Sequence, residues 1–224
     1  MNLRLFFSVA LVFLAGISAG AEDYSELFEE AIETIDWEFG QEWAFTETSL
    51  RDDGLFVGHF DPRLEEGERW SLISVDRRQP TEKEAEKYEH DKADHGDSSE
   101  SRTTGIVGSD SLELLEETDD YWLFTFVPDD DEVAFTESVD AKVKIIKAGH
   151  YVESIDIRNH SDIKPGFGTK ISRFVMQLEF GPAAEDGPIV PLSINVHVTG
   201  RALLFIGFDE TDATRYSDFE HIAE

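Results

Sequence analysis

The sequence predicts a mostly β α+β fold: a curved antiparallel sheet or incomplete barrel of about ten strands, covered by an N-terminal amphipathic helix and one short helix. Three observations point there. From Trp43 onward most of the chain alternates apolar and polar residues with period two. Turn-forming clusters such as "RDDG", "PRLEEGE" and "KAGH" divide these runs into short strands. Two earlier segments carry helical signals instead, one a stripe of period 3.6 and one a capping box. No period of 20 to 50 residues recurs, which excludes a propeller or a solenoid.

The chain starts with "MNLRLFFSVALVFLAGISAGA": one basic residue, Arg4, an apolar run from Leu5 to Ala15, and the small-x-small triplet Ala19-Gly20-Ala21. This is the form of a secretory signal peptide over residues 1–21, cut after Ala21. The apolar run is short for a membrane span. The expected product is one exported domain over residues 22–224, periplasmic or secreted, with no membrane span after signal removal.

Residues 23–36, "DYSELFEEAIETID", place Tyr24, Leu27, Phe28, Ala31, Ile32 and Ile35 on one face of a helix. Asp23 is the expected N-cap, and Glu26, Glu29 and Glu30 suit the positive end of the helix dipole. Strands are expected over 43–50, 55–61 and 69–76. Pro80 and the pair Thr81 and Glu84 then open a second helix, "EKEAEKYEHDKA", with little apolar surface beyond Ala85 and Tyr88. It reads as exposed and frayed. A polar, charged stretch over about 94–108 reads as a flexible loop. Further strands are expected over 111–117, 121–127, 139–146, 151–158, 170–180 and 190–199. The run 201–208 is almost continuously apolar and reads as buried on both faces, with a last short strand over 214–221.

Composition limits the function. The chain has 19 Lys and Arg against 49 Asp and Glu, a formal net charge of −30. Signal removal takes only Arg4 among charged residues, leaving −31. So acidic a surface repels nucleic acid and anionic membrane. Cysteine is absent, which excludes disulfides, a thiol nucleophile and Cys-ligated metal. The 17 Phe, 4 Trp and 5 Tyr supply a large aromatic core.

No motif for catalysis stands out. There is no G-x-S-x-G elbow, no P-loop and no dinucleotide fingerprint. The seven histidines, His59, His90, His95, His150, His160, His197 and His221, are scattered. His90 and His95 are five apart, a spacing that does not share a helix face as i, i+4 does. "PDDDEV" lacks the ligand spacing and central Gly of a calcium loop. The reading therefore assigns no catalytic residue, no metal and no cofactor. In the segment Gly58–Glu84, Arg63, Arg69, Arg77 and Arg78 form either an anion site or a set of surface ion pairs. The acids interleaved with them favour the second.

The same segment carries a resemblance. "FDPRLEEGERWSLISVDRRQPTEKEAEKY", in the form F-D-P-R, G-x-R-W-x-L-x-S-V-D and P-T-x-x-E, looks like a signature of bacterial exported proteins. The plan around it resembles the LolA/LolB/RseB-like group of periplasmic proteins: signal peptide, amphipathic first helix, antiparallel strands, helical insertion, more strands. The resemblance implies an incomplete antiparallel barrel with an apolar hollow closed by helices. It implies a non-catalytic binding protein for a lipid or acyl chain, or for an envelope protein. Trp43, Phe45, Phe56, Trp70, Trp122, Phe124, Phe174 and Phe205 are the ligand-cavity candidates. The same rings fill a core if no cavity exists, and the sequence leaves both open. An exported hydrolase, or a regulatory interaction module using a sheet edge, are the other classes.

Overall fold

The computed structural model describes residues 21–95, 111–128, 136–166, 168–203 and 206–222. The first helix, α1 (Ala21–Glu33), leads through a 3-10 turn (Phe39–Gln41) into β1 (Trp43–Arg51), β2 (Gly54–Phe60) and β3 (Trp70–Val75). The second helix, α2 (Glu82–His95), precedes β4 (Glu113–Glu117), β5 (Tyr121–Phe126), β6 (Val139–Ile146) and β7 (Tyr151–Asn159). A short β8 (Ile163–Gly166) leads into three long strands, β9 (Thr169–Pro182), β10 (Ile189–Ala202) and β11 (Ile206–His221).

All eleven strands form one antiparallel sheet that does not close into a barrel. Its order is β3-β2-β1-β11-β10-β9-β7-β6-β5-β4, with β8 paired to β9. The sheet is thus three meanders, and the pairing of β1 with β11 joins the start of the chain to its end.

The register explains the alternation seen in the sequence. One row of Cα partners crosses ten strands: Leu114, Phe124, Val143, Ile155, Leu178, Ile194, Thr214, Ser49, Phe56 and Val75. Eight of these are apolar, and they share the face on which both helices lie. Burying each such side chain contributes about 2 kcal/mol, so this face drives the fold. The opposite face carries a polar ladder: Gln177 donates to Asp156, Ser193 donates to Glu179, and Lys144 pairs with Glu153.

Helix α1 buries Phe28 and Ala31 against β5, β6, β7 and β9. Its stripe is the expected one, and Tyr24 meets Phe124 edge-on at 5.1 Å. Ile35 falls just past the helix and bridges to Ile189. Asp23 is not the N-cap, because the helix already runs from Ala21.

The capping box forms as expected. The Glu84 amide donates to Thr81 Oγ1, and the Thr81 amide donates to the Glu84 carboxylate at 2.8 Å. Helix α2 nevertheless runs to His95 and is anchored, not frayed: Tyr88 is buried with Leu72 and Val75 against β3. Asp94 and His95, expected in the flexible loop, close this helix. The rest of that stretch, the signal segment over 1–20, residues 129–133 of "PDDDEV" and Phe205 lie outside the described residues.

The C-terminal strands differ from expectation. Residues 201–208 are not a strand buried on both faces: β10 ends at Ala202, β11 begins at Ile206, and Leu203 and Ile206 are exposed at 64% and 52%. The tail over 214–221 belongs to the same sixteen-residue strand β11. An apolar run at a hairpin tip looks, by composition alone, like a core strand.

Candidate functional site

The helix-covered face is unevenly covered. Helix α1 makes its main contacts with β7, and α2 with β3. Between those strands the face belongs to β9, β10, β11, β1 and β2. There Met176, Ile194, Val196 and Val198 are only half-buried, although they pack against the main core. They form an apolar floor of two adjacent strands, since Ile194 partners Leu178, Val196 partners Met176 and Val198 partners Phe174. The next strand on the same face is polar, with Thr214 and Asp212 opposite Ile194 and Val196.

The wall of this floor on the α2 side is a buried polar cluster. Glu47 projects inward from β1 and is only 4% exposed. Lys92 of α2 reaches it at 2.6 Å. Ser49 Oγ donates to Glu47 at 2.9 Å, and Tyr88 Oη donates to it at 3.4 Å. Lys92 Nζ also stands 4.2 Å from the Trp70 ring centroid, a cation–π contact. Burial, reinforced by the Glu47 charge, pushes the Tyr88 phenol well above its ordinary range, and the Tyr216 phenol likewise. Both stay neutral, and Tyr88 keeps the proton it donates to Glu47. Tyr88 comes this close because residue 58 is glycine: a Cβ there would overlap the Tyr88 hydroxyl.

The cluster has the ingredients of acid–base chemistry, but Glu47, Ser49 and Tyr88 are buried and only Lys92 reaches solvent, at 19% exposure. Ser49 is 1% exposed and spends its hydrogen on Glu47. A second grouping, His197 with Asp209 and Thr199, lies on the polar face. Both Asp209 Oδ1 (2.8 Å) and Thr199 Oγ1 (3.2 Å) approach the same ring nitrogen, Nε2. A relay needs the acid on one ring nitrogen and the nucleophile on the other. The contact instead holds the Asp209 carboxyl below its ordinary range, His197 first and Thr199 second. Among the described residues, no group of three or more His, Asp or Glu is arranged to hold a metal ion.

Of the eight ring positions predicted to line a hollow, the seven described ones divide among three clusters. Trp43 and Phe45 are buried with Phe39 and Val190, and Trp70 packs against them, Phe45 to Trp70 being 5.6 Å. Phe56 sits in the α2 cluster with Leu72 and Val75. Phe124 is fully buried under α1, and Trp122 packs beside it with its ring stacked on His150 at 5.5 Å. Of the described seven, only Phe174 lies under the half-buried floor, opposite Val198. The sequence singled out rings, whereas the floor is built from Met, Ile and Val. Their signal was present as the inward alternation of Ile194, Val196 and Val198. Glu47 was also legible as an acid in the inward phase of Trp43 and Phe45. Its partner Lys92, 45 residues on, was not.

Two open clefts lie away from this floor. One, of about 460 Å³, is lined by Asp36, Glu42, Trp43, Ala184, Asp186, Gly187, Pro188 and His221. The other, of about 400 Å³, adjoins it at Ile35–Glu38. Burial raises the Asp36 carboxyl above its ordinary range there.

Two of the four arginines of the segment Gly58–Glu84 form surface ion pairs. Arg63 binds Asp61 through two nitrogens, Arg78 pairs with Glu84, and Arg69 donates to the Leu64 carbonyl at 3.3 Å. None of the described helices is long and apolar enough to cross a membrane. A scan against protein-family models, a search of curated proteins and a search of solved structures each found no match to this chain.

Proposed function

We propose that this chain is an exported, non-catalytic binding protein for an apolar or amphipathic ligand, a lipid or acyl chain. The observation that carries the reading is the half-buried floor of Met176, Ile194, Val196 and Val198 between the two helices, flanked by the Glu47–Lys92–Tyr88 cluster. A hydrocarbon tail laid on the floor removes apolar surface from water at about 25 cal/mol per Å². A polar end then meets Lys92, whose side chain is 19% exposed, and Thr214. The open antiparallel sheet with helices on one face supports the resemblance to the LolA/LolB/RseB-like group as a source of this expectation. Export to the periplasm rests on the leader of residues 1–21.

Native mass spectrometry of the purified mature chain, with organic extraction, tests the reading. A co-purifying lipid that is lost in Val196→Asp supports it. An empty protein that takes up no fatty acid at saturating concentration overturns it. Hydrolysis of an ester panel would favour the hydrolase class instead.

A further inference from the structure

The floor has a charge pattern of its own. Along β9 and β10 its inward positions, Met176, Leu178, Ile194, Val196 and Val198, carry no charge. Along β11 they do. Cross-strand partners share a face of the sheet, with Cβ atoms about 4.5–5.5 Å apart. Asp212 partners Val196 and Glu210 partners Val198, so two carboxylates border the apolar strip one strand away. Both are exposed, and neither side chain has an ion-pair or hydrogen-bond partner among the described residues. Burial first, then the charges of Glu47 and Asp212, hold the Tyr216 phenol above its ordinary range, which agrees with an inward-facing Asp212.

The cations near the floor are already engaged. Lys92 is tied to Glu47 at 2.6 Å and lies over the Trp70 ring. Arg51 follows the Leu50–Ala213 pair on β1 and so comes level with Asp212, but it turns to β2, its guanidinium 5.9 Å from the Phe56 ring centroid. Set against Glu210 and Asp212 together, its single charge leaves this border acidic. The helices do not reverse the sign. Helix α1, which bounds the floor on the β7 side, holds six Asp and Glu and no Lys or Arg. Helix α2 holds six acids against three lysines, of which Lys83 and Lys87 are exposed. A carboxylate or phosphate head placed beside Val196 therefore meets like charge, whereas an ammonium meets two unpaired carboxylates.

We propose that the amphiphile taken by this floor has a cationic head: a hydrocarbon chain ending in an ammonium group. The chain lies over Ile194 and Val196, and Asp212 and Glu210 hold the head. Thr214, two residues on along the same face, offers the ammonium a hydroxyl oxygen, and Lys92, neutralised by Glu47, does not oppose it. The cationic head rests on the ligand-binding reading above and completes it.

Isothermal titration calorimetry of the mature chain at neutral pH and physiological salt tests this. The probes are dodecylamine, dodecanoate and neutral dodecyl maltoside, each below its micellar concentration. Dodecylamine should bind about tenfold tighter than dodecanoate, at roughly threefold for each exposed carboxylate that pairs with the head. Glu210→Gln with Asp212→Asn should remove that preference and leave dodecyl maltoside binding unchanged. Glu65→Gln with Glu66→Gln makes the same change in net charge at an exposed turn and should leave the preference intact. Three results overturn the cationic head while the floor stands: dodecanoate binding as tightly as dodecylamine, a preference that survives in the Glu210 and Asp212 variant, or an equal loss in the Glu65 and Glu66 control. If none of the three amphiphiles binds, or if dodecyl maltoside binding survives Val196→Asp, the floor itself is refuted, and the cationic head with it.

Discussion

Replacing Trp70 with alanine separates a core role from the surface charges of the same segment. The Trp70 ring contacts Phe45 at 5.6 Å, Phe60 at 5.1 Å and Tyr88 at 6.3 Å, and lies 4.2 Å beneath Lys92. It thus ties the aromatic cluster of β1 and β2 to α2. Truncating a fully buried Trp costs about 3–5 kcal/mol. Trp70 is half-buried, which places it near the lower end, at about 3 kcal/mol, including its ring contacts. For a domain of this size each kcal/mol moves the midpoint by about 2–4 °C, so Trp70→Ala should lower it by about 6–12 °C. Arg78→Ala, eight residues on, removes an exposed pair with Glu84 and should leave the midpoint within measurement scatter. Thermal melts followed by circular dichroism decide the matter. Comparable losses for the two variants would refute the assignment of Trp70 to the core and of Arg78 to the surface.

Other outcomes follow from the polar cluster. Gly58→Ala should cost about 1–3 kcal/mol by displacing Tyr88, and should shift Trp70 fluorescence as α2 moves. Lys92→Ala should destabilise more than Glu47→Gln in urea unfolding: Lys92 is 19% exposed and can turn to water, whereas Glu47, at 4%, is left buried without its counter-charge. Equal losses would contradict that asymmetry. At high pH the unfolded chain releases tyrosine protons near pH 10 while Tyr88 and Tyr216, both raised, retain theirs. The folded state then holds more protons, so stability should fall as pH rises above about 10, and Tyr88→Phe should reduce that fall. In acid the sign reverses. Asp61, Glu117 and Asp209 are held below their ordinary values by Arg63, Lys147 and His197, so their contribution is present at neutral pH and lost as pH falls below about 4.

Much of the architecture was legible in the chain because its signals are local. The inward stripe of α1, the reciprocal bonds of Thr81 and Glu84, and the alternation through β6, β7 and β10 each depend on neighbours a few residues apart. The structure places each within three residues of its expected bounds. Helix α2 was undervalued for the same reason. Its own sequence offers only Ala85 and Tyr88 to a core, and its anchors, Glu47 and the space above Gly58, come from strands some 30 to 40 residues earlier.

Composition and periodicity alone determined that this is a mostly β chain with two helices, without cysteine chemistry and with a strongly acidic surface. Only the tertiary structure decided where apolar residues count as core and where they do not. Ile194 and Val196 lie on a floor because β10 runs through the middle of the sheet. Leu203 and Ile206 lie in water because the hairpin outruns its neighbours. The physical reason is that burial is set by pairing between distant strands, and the closure of β1 on β11 spans almost the whole described chain. Register, unlike periodicity, is not written in any one segment.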